Sequence, residues 1–204
     1  MTFRPLLFAA ALAAVSTPAV MASAQAADPG AAQIESFNVA LLDAMKQAKS
    51  LGVEGRYRKL EPAVETGFDL PTMTRFAVGP KWASLSPADQ AALIKAFTRL
   101  TVANYAKNFN DFGGEKFTVD TQVDTRGPDK LVRSHIIQPH DKPVDLTYRM
   151  RQASDGRWKI IDVYYNGSVS ELAARRSDFA ASIAQGPQAL LAKIDALSSK
   201  LMRG

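Results

Sequence analysis

Few side chains in this sequence stand where chemistry is done. Asp162 is the exception, because it interrupts Trp158 to Tyr165, a run apolar on both sides apart from Lys159. A carboxylate taken out of water ionises less readily and can serve as a general base, as in some cone-shaped α+β enzymes. The competing reading, which we favour, is an Asp bonded to backbone or to an arginine such as Arg149. His135 and His140 flank a turn five residues apart, with no carboxylate motif placed for a metal. Pairs of that kind are usually surface residues. There is no G-x-S-x-G elbow, no phosphate loop, no G-x-G-x-x-G and no H-E-x-x-H. The chain has no cysteine, which excludes a thiol nucleophile and a disulfide scaffold. The sequence therefore predicts no catalytic residue, no cofactor and no metal.

What it offers instead is apolar and aromatic surface. On the apolar face of one long helix and the inward faces of several strands, Phe97, Leu100, Tyr105, Phe117, Leu146, Tyr148, Ile160, Val163 and Phe179 form the candidate lining of an apolar pocket. Any one of these residues is explained as well by an ordinary core.

The elements that position them follow from periodicity. Ile34, Phe37, Leu41, Met45 and Ala48 recur at helical spacing, predicting a helix from about 31 to 49 that Gly52 ends. A second stretch, 53–66, carries Tyr57, Leu60 and Val64 with a bend at Pro62. Asp69-Leu-Pro71 caps a short helix that stops at Gly79-Pro80. Ser86-Pro-Ala-Asp89 joins a capping hydroxyl, a first-turn proline and an acid three positions on, opening a long helix that runs to Gly113. The period then changes to two. Phe117, Val119, Thr121 and Val123 alternate with polar residues, as do Val144, Leu146, Tyr148 and Met150 with Asp145, Thr147, Arg149 and Arg151. With 131–138 and 158–165, these make a four-stranded antiparallel meander, in which 158–165 reads as a central strand buried on both faces. Helices at about 169–184 and 187–201 close the chain. The class is α+β: a four-stranded antiparallel sheet covered on one face by N- and C-terminal helices, divided as helical 31–112, sheet 115–166 and helical 169–202.

The N-terminus is an export signal by composition. Arg4, the apolar run Leu6 to Val15 and Ala22-Ser-Ala-Gln-Ala26 supply its three parts, and the run is too short to span a bilayer. Cleavage is expected after Ala26, with Ala24 the alternative, leaving 27–204 as a single soluble domain beyond the inner membrane. The chain is formally +5, an excess that falls by one with Arg4 and is largest at Arg56, Arg58 and Lys59. Such a balance mildly favours anionic membrane surfaces. No basic stripe with interleaved aromatics points to nucleic acid.

Several segments resemble one family. Phe68-Asp-Leu-Pro-Thr-Met-Thr-Arg75, Gly79-Pro-Lys-Trp82, and Leu85-Ser-Pro-Ala-Asp-Gln90 leading to Phe97 and Tyr105 are similar to the MlaC (toluene-tolerance) family of periplasmic phospholipid carriers. So are Val144-Asp-Leu-Thr-Tyr-Arg-Met-Arg151, Gly156-Arg-Trp-Lys-Ile-Ile-Asp-Val163, Asn166-Gly-Ser-Val169 and Arg176-Ser-Asp-Phe179. The wording of 167–179 is most like its hopanoid-biosynthesis-associated branch, HpnM. The resemblance implies a monomeric carrier that holds acyl chains or a hopanoid between sheet and helices. It further implies shuttling between the two membranes in maintenance of the outer one, with an inner-membrane lipid transporter and an outer-membrane complex as partners. Two rivals stand beside this reading: a small exported enzyme using Asp162, and a ligand-free adaptor of a membrane complex whose aromatic interior is only a core.

Overall fold

The computed structural model describes residues 27–203 of the 204. The export signal and its cleavage site lie outside them. Helix α1 (Pro29–Lys46) starts where the Asp28 carboxylate accepts the amides of Gly30 and Ala31, with Pro29 in the first turn. The expected apolar stripe Ile34, Phe37, Leu41 and Met45 is buried. The chain breaks at Gln47 rather than at Gly52, and α2 (Ala48–Gly67) follows at once. Gly52 is a kink inside α2, with φ 60°, a conformation that costs a residue with a Cβ more than glycine. Pro62 is accommodated within the same helix.

Buried Arg56 holds this region to its neighbours. Its guanidinium donates to the carbonyls of Ala48 (2.9 Å) and Ala106 (2.8 Å). Arg56 therefore does not belong to a surface basic group with Arg58 and Lys59, as the sequence suggested. It is a structural arginine.

Helix α3 (Leu70–Val78) is capped by Asp69, which accepts the amide of Thr72, and it ends at Gly79. A 3₁₀ turn, Gly79–Ser84, leads to α4 (Pro87–Asn108). Ser86 accepts the Asp89 amide at the start of α4, as its capping sequence predicts.

The sheet has six strands, not four: β1 (Lys116–Val119), β2 (Asp124–Arg126), β3 (Asp129–Ile137), β4 (Val144–Gln152), β5 (Trp158–Tyr165) and β6 (Val169–Ser170). All pair antiparallel in the order β1-β3-β4-β5-β6, with β2 also on β3. The expected first strand is split at 121–123, just past Asp120, where the pairing with β3 shifts register by two residues. The Asp120 amide donates to the Arg133 carbonyl and its carboxylate meets His135. The sixth strand is the start of what was read as a helix at 169. Helix α5 begins two residues later (Glu171–Ala184), and α6 (Pro187–Met202) completes the chain.

Val132 of β3 and Tyr148 and Met150 of β4 are inaccessible, whereas Asp145, Thr147, Arg149 and Arg151 on the other face are exposed or half-buried. The helices thus cover one face, with α1 against β1, β3 and β5 and α4 packed on α2, α3 and α6. On the opposite face Asp129, nearly inaccessible, binds Arg149 and Arg151.

Strand β5 is not central, since only two-residue β6 lies beyond it. Its burial has another origin. A β-bulge opposite Arg149/Met150 pairs Ile160 with Met150 and Asp162 with Arg149, leaving Ile161 as the extra residue. Ile160 and Val163 then share the inward face of Met150 and Tyr148, and Asp162 shares the face of Arg149.

Candidate functional site

Asp162 is fully engaged in structure. Its carboxylate accepts the amide of Val163 (2.8 Å), the amide of Leu172 (3.1 Å) and the hydroxyl of Ser170 (2.7 Å). The Ser170 oxygen in turn accepts the amide of Ala173. Together they satisfy the free N–H groups at the start of α5, where a negative charge also suits the helix dipole. Arg149 is not the partner, being taken by Asp129.

The histidines separate. His135 sits between Asp145 (2.7 Å) and Asp120 (3.0 Å), and the hydrogen bond to Asp145, followed by that to Asp120, raises its pKa. No group of three or more His, Cys, Asp or Glu side chains placed for a metal occurs among the described residues.

An apolar concavity lies between α4, the loop at Phe68, the start of α5 and the far ends of β3, β4 and β5. It is a cavity of about 270 Å³, many times the roughly 10–15 Å³ that one water needs. Its depth is apolar: Phe68, Leu100, Val163 and Leu172 are buried, and Phe97, Ile136, Val144 and Leu146 extend the wall. Tyr105 stacks on Phe109 across 5.6 Å between ring centres and meets the ring of Phe68 edge-on. Burial, then the neighbouring Tyr148 and Glu171, pushes the Tyr105 phenol well above its ordinary pKa. It stays neutral.

The open side is marked by accessible wall residues. Tyr165, Asn108 and Glu171 are exposed, and Asn104, Thr101 and Arg175 are partly so. Apolar depth under a few polar groups at the entrance is the usual composition of a small-molecule site.

Of the residues read from the sequence, Phe97, Leu100, Tyr105, Leu146 and Val163 are on this wall. Tyr148, Ile160 and Phe179 are not, because they lie in the closed core; Phe179 packs edge-on against Phe97. Phe117 stands behind Phe109 (6.2 Å) and borders a shallow groove between α1 and β1. Ile136 and Val144 were missed, although Val144 shares the alternation of Leu146. Thr101, Asn104 and Asn108 follow Phe97 at four-, seven- and eleven-residue spacing on one helix face, a signal hidden because they are polar.

The structure is thus a helix-covered antiparallel sheet with an apolar cavity open at one end. Residues 35–201 match the model of the family described as MlaC protein, and the chain belongs to that family. Among solved structures it is similar to the phospholipid-binding protein from Ralstonia solanacearum, determined in complex with a phospholipid. The TM-score is 0.73 at 19% identity, with 84% of this chain and 98% of that one covered. No curated protein matches the chain.

Proposed function

We propose that this protein is a periplasmic lipid carrier, one exported domain comprising residues 27–204, that holds the hydrocarbon of a membrane lipid in the cavity behind α4. The observation that carries the proposal is the cavity's composition: buried Phe, Leu and Val inside, amide and charged side chains at the opening. The fold it shares with a protein determined in complex with a phospholipid supports the same reading.

The physical case is one of transfer cost. Moving hydrocarbon from a bilayer into water costs about 0.8 kcal/mol per methylene, so a chain of about 16 carbons costs on the order of 12 kcal/mol. An apolar wall returns most of that, and membrane-to-protein transfer becomes nearly balanced. Nothing in the sequence binds a nucleotide, so direction comes from partners or from a lipid gradient. An inner-membrane lipid transporter, and an outer-membrane complex at the other end of the journey, fill that role. The carrier acts as a monomer and catalyses no reaction.

The cargo is a phospholipid or, if the likeness of 167–179 to the hopanoid-associated branch extends to ligand choice, a hopanoid. Lipid extracted from protein purified out of its native host and identified by mass spectrometry decides between them. Protein that is empty on isolation and also takes nothing from liposomes would overturn the carrier reading.

A further inference from the structure

The cavity's opening carries both signs of charge. Glu171 and Arg175 lie one turn apart on α5, four residues being the spacing at which side chains of a helix meet, and both line the cavity. A Glu followed by an Arg at that spacing commonly pairs, and Glu54 and Arg58 on α2 approach each other at 3.9 Å. Here the two do not pair. Arg175 instead approaches Asp178 at a loose 3.9 Å, and among the described residues the Glu171 carboxylate has no ion-pair partner. On the α4 side of the same wall are the amides of Asn104 and Asn108, loosely joined to each other at 3.4 Å. The opening therefore presents an unpaired anion, a weakly held cation and neutral hydrogen-bonding groups around an apolar space.

We infer that Glu171 and Arg175 form a subsite for the polar head of the cargo, and that it selects a head bearing an ammonium beside a phosphate. This rests on the carrier reading with a phospholipid as cargo. With the hydrocarbon seated among Phe97, Leu100 and Leu146, the head lies at the open side. There the planar guanidinium of Arg175 donates to phosphate oxygens, and the Glu171 carboxylate accepts from the ammonium. A head with a phosphate and no cation leaves Glu171 facing like charge, and the subsite discriminates against it.

The test offers the protein vesicles holding equal amounts of phosphatidylethanolamine and phosphatidylglycerol with identical acyl chains, then re-isolates it and quantifies bound lipid. Attractions between partly exposed charges translate into about a two- to five-fold enrichment of phosphatidylethanolamine. Glu171→Gln brings the ratio to about one and Glu171→Lys reverses it. Against vesicles of phosphatidylethanolamine and diacylglycerol, Arg175→Gln narrows the preference for the phosphate-bearing lipid by a similar factor. An unselective wild-type protein, or enrichment that survives Glu171→Gln with loading intact, overturns the subsite. Failure of the wild type to load lipid at all overturns the carrier reading beneath it.

Discussion

Replacing Asp162 separates a structural carboxylate from a catalytic one. In Asp162→Ala the buried amide of Leu172 loses its acceptor, which costs about 1–3 kcal/mol. The negative charge at the start of α5 is lost as well, costing about 0.3–1 kcal/mol. Ser170 is half-buried and recovers part of its bond from water. The expected loss is about 3 kcal/mol, and a domain of this length loses roughly 2–4 °C in Tm per kcal/mol, so the midpoint falls by about 6–12 °C. Asp162→Asn retains a carbonyl oxygen for the Leu172 amide, and its cost is about 1 kcal/mol. Asp162 supports Val163 and Leu172 of the wall through their amides but does not itself line the cavity, so the folded fraction of each variant should still take up lipid. Urea unfolding followed by circular dichroism, together with lipid uptake from liposomes, reads both quantities. Two results would refute the reasoning. One is an Asp162→Ala protein within about 0.5 kcal/mol of wild type. The other is an Asp162→Asn protein of undiminished stability that has lost a measurable turnover, which would return Asp162 to the role of general base.

Leu100 is almost inaccessible and lines the cavity, so Leu100→Trp should fill it and lower bound lipid several-fold while the domain stays folded; unchanged loading would remove Leu100 from the site. The Tyr148 hydroxyl is buried without a partner among the described residues, and Tyr148→Phe is expected to leave stability unchanged or raise it by up to about 1 kcal/mol, as read from the urea midpoint. A loss of more than about 1 kcal/mol would mean the hydroxyl is bonded after all. For His135 the folded pKa is raised by its bonds to Asp145 and Asp120. The stabilisation is thus fully present below the ordinary value of about 6.5 and lost as pH rises through the elevated one. Thermal midpoints measured from acid to mildly alkaline pH should show this decline in wild type but not in His135→Gln, and matching curves would exclude the coupling.

Much of the helical half was legible because its signals are local. The Ser86–Asp89 cap needs only four residues, and the stripe from Ile34 to Met45 only three turns. Inward and outward faces of β4 were equally plain from Val144 to Arg151. The missing features depend on partners distant in sequence. The first strand breaks at 121–123 because its register on β3 shifts there, and Arg56 is buried because the Ala106 carbonyl, fifty residues away, needs a donor. At the site, apolar character alone could not separate Leu146, near the open end of the sheet, from Tyr148, two residues deeper in the closed core. Depth along a strand is a tertiary property. Likewise, the opening is built from polar residues on α4 and α5, which a search for lipophilic lining passes over.

The bulge in β5 bears on what kind of molecule this scaffold can be. Strict alternation from Ile160 would direct position 162, not 163, at the helices, and a carboxylate would then point to the side on which the cavity lies. The bulge at Ile161 keeps that acid on the face of Arg149 and brings Val163 forward. One irregularity in the pairing of β5 thus sets the dielectric character of the interior. With it the compartment is a hydrocarbon solvent. Without the bulge, regular alternation of the same residues would deliver a proton acceptor to the compartment, and a container would acquire the first component of an active site.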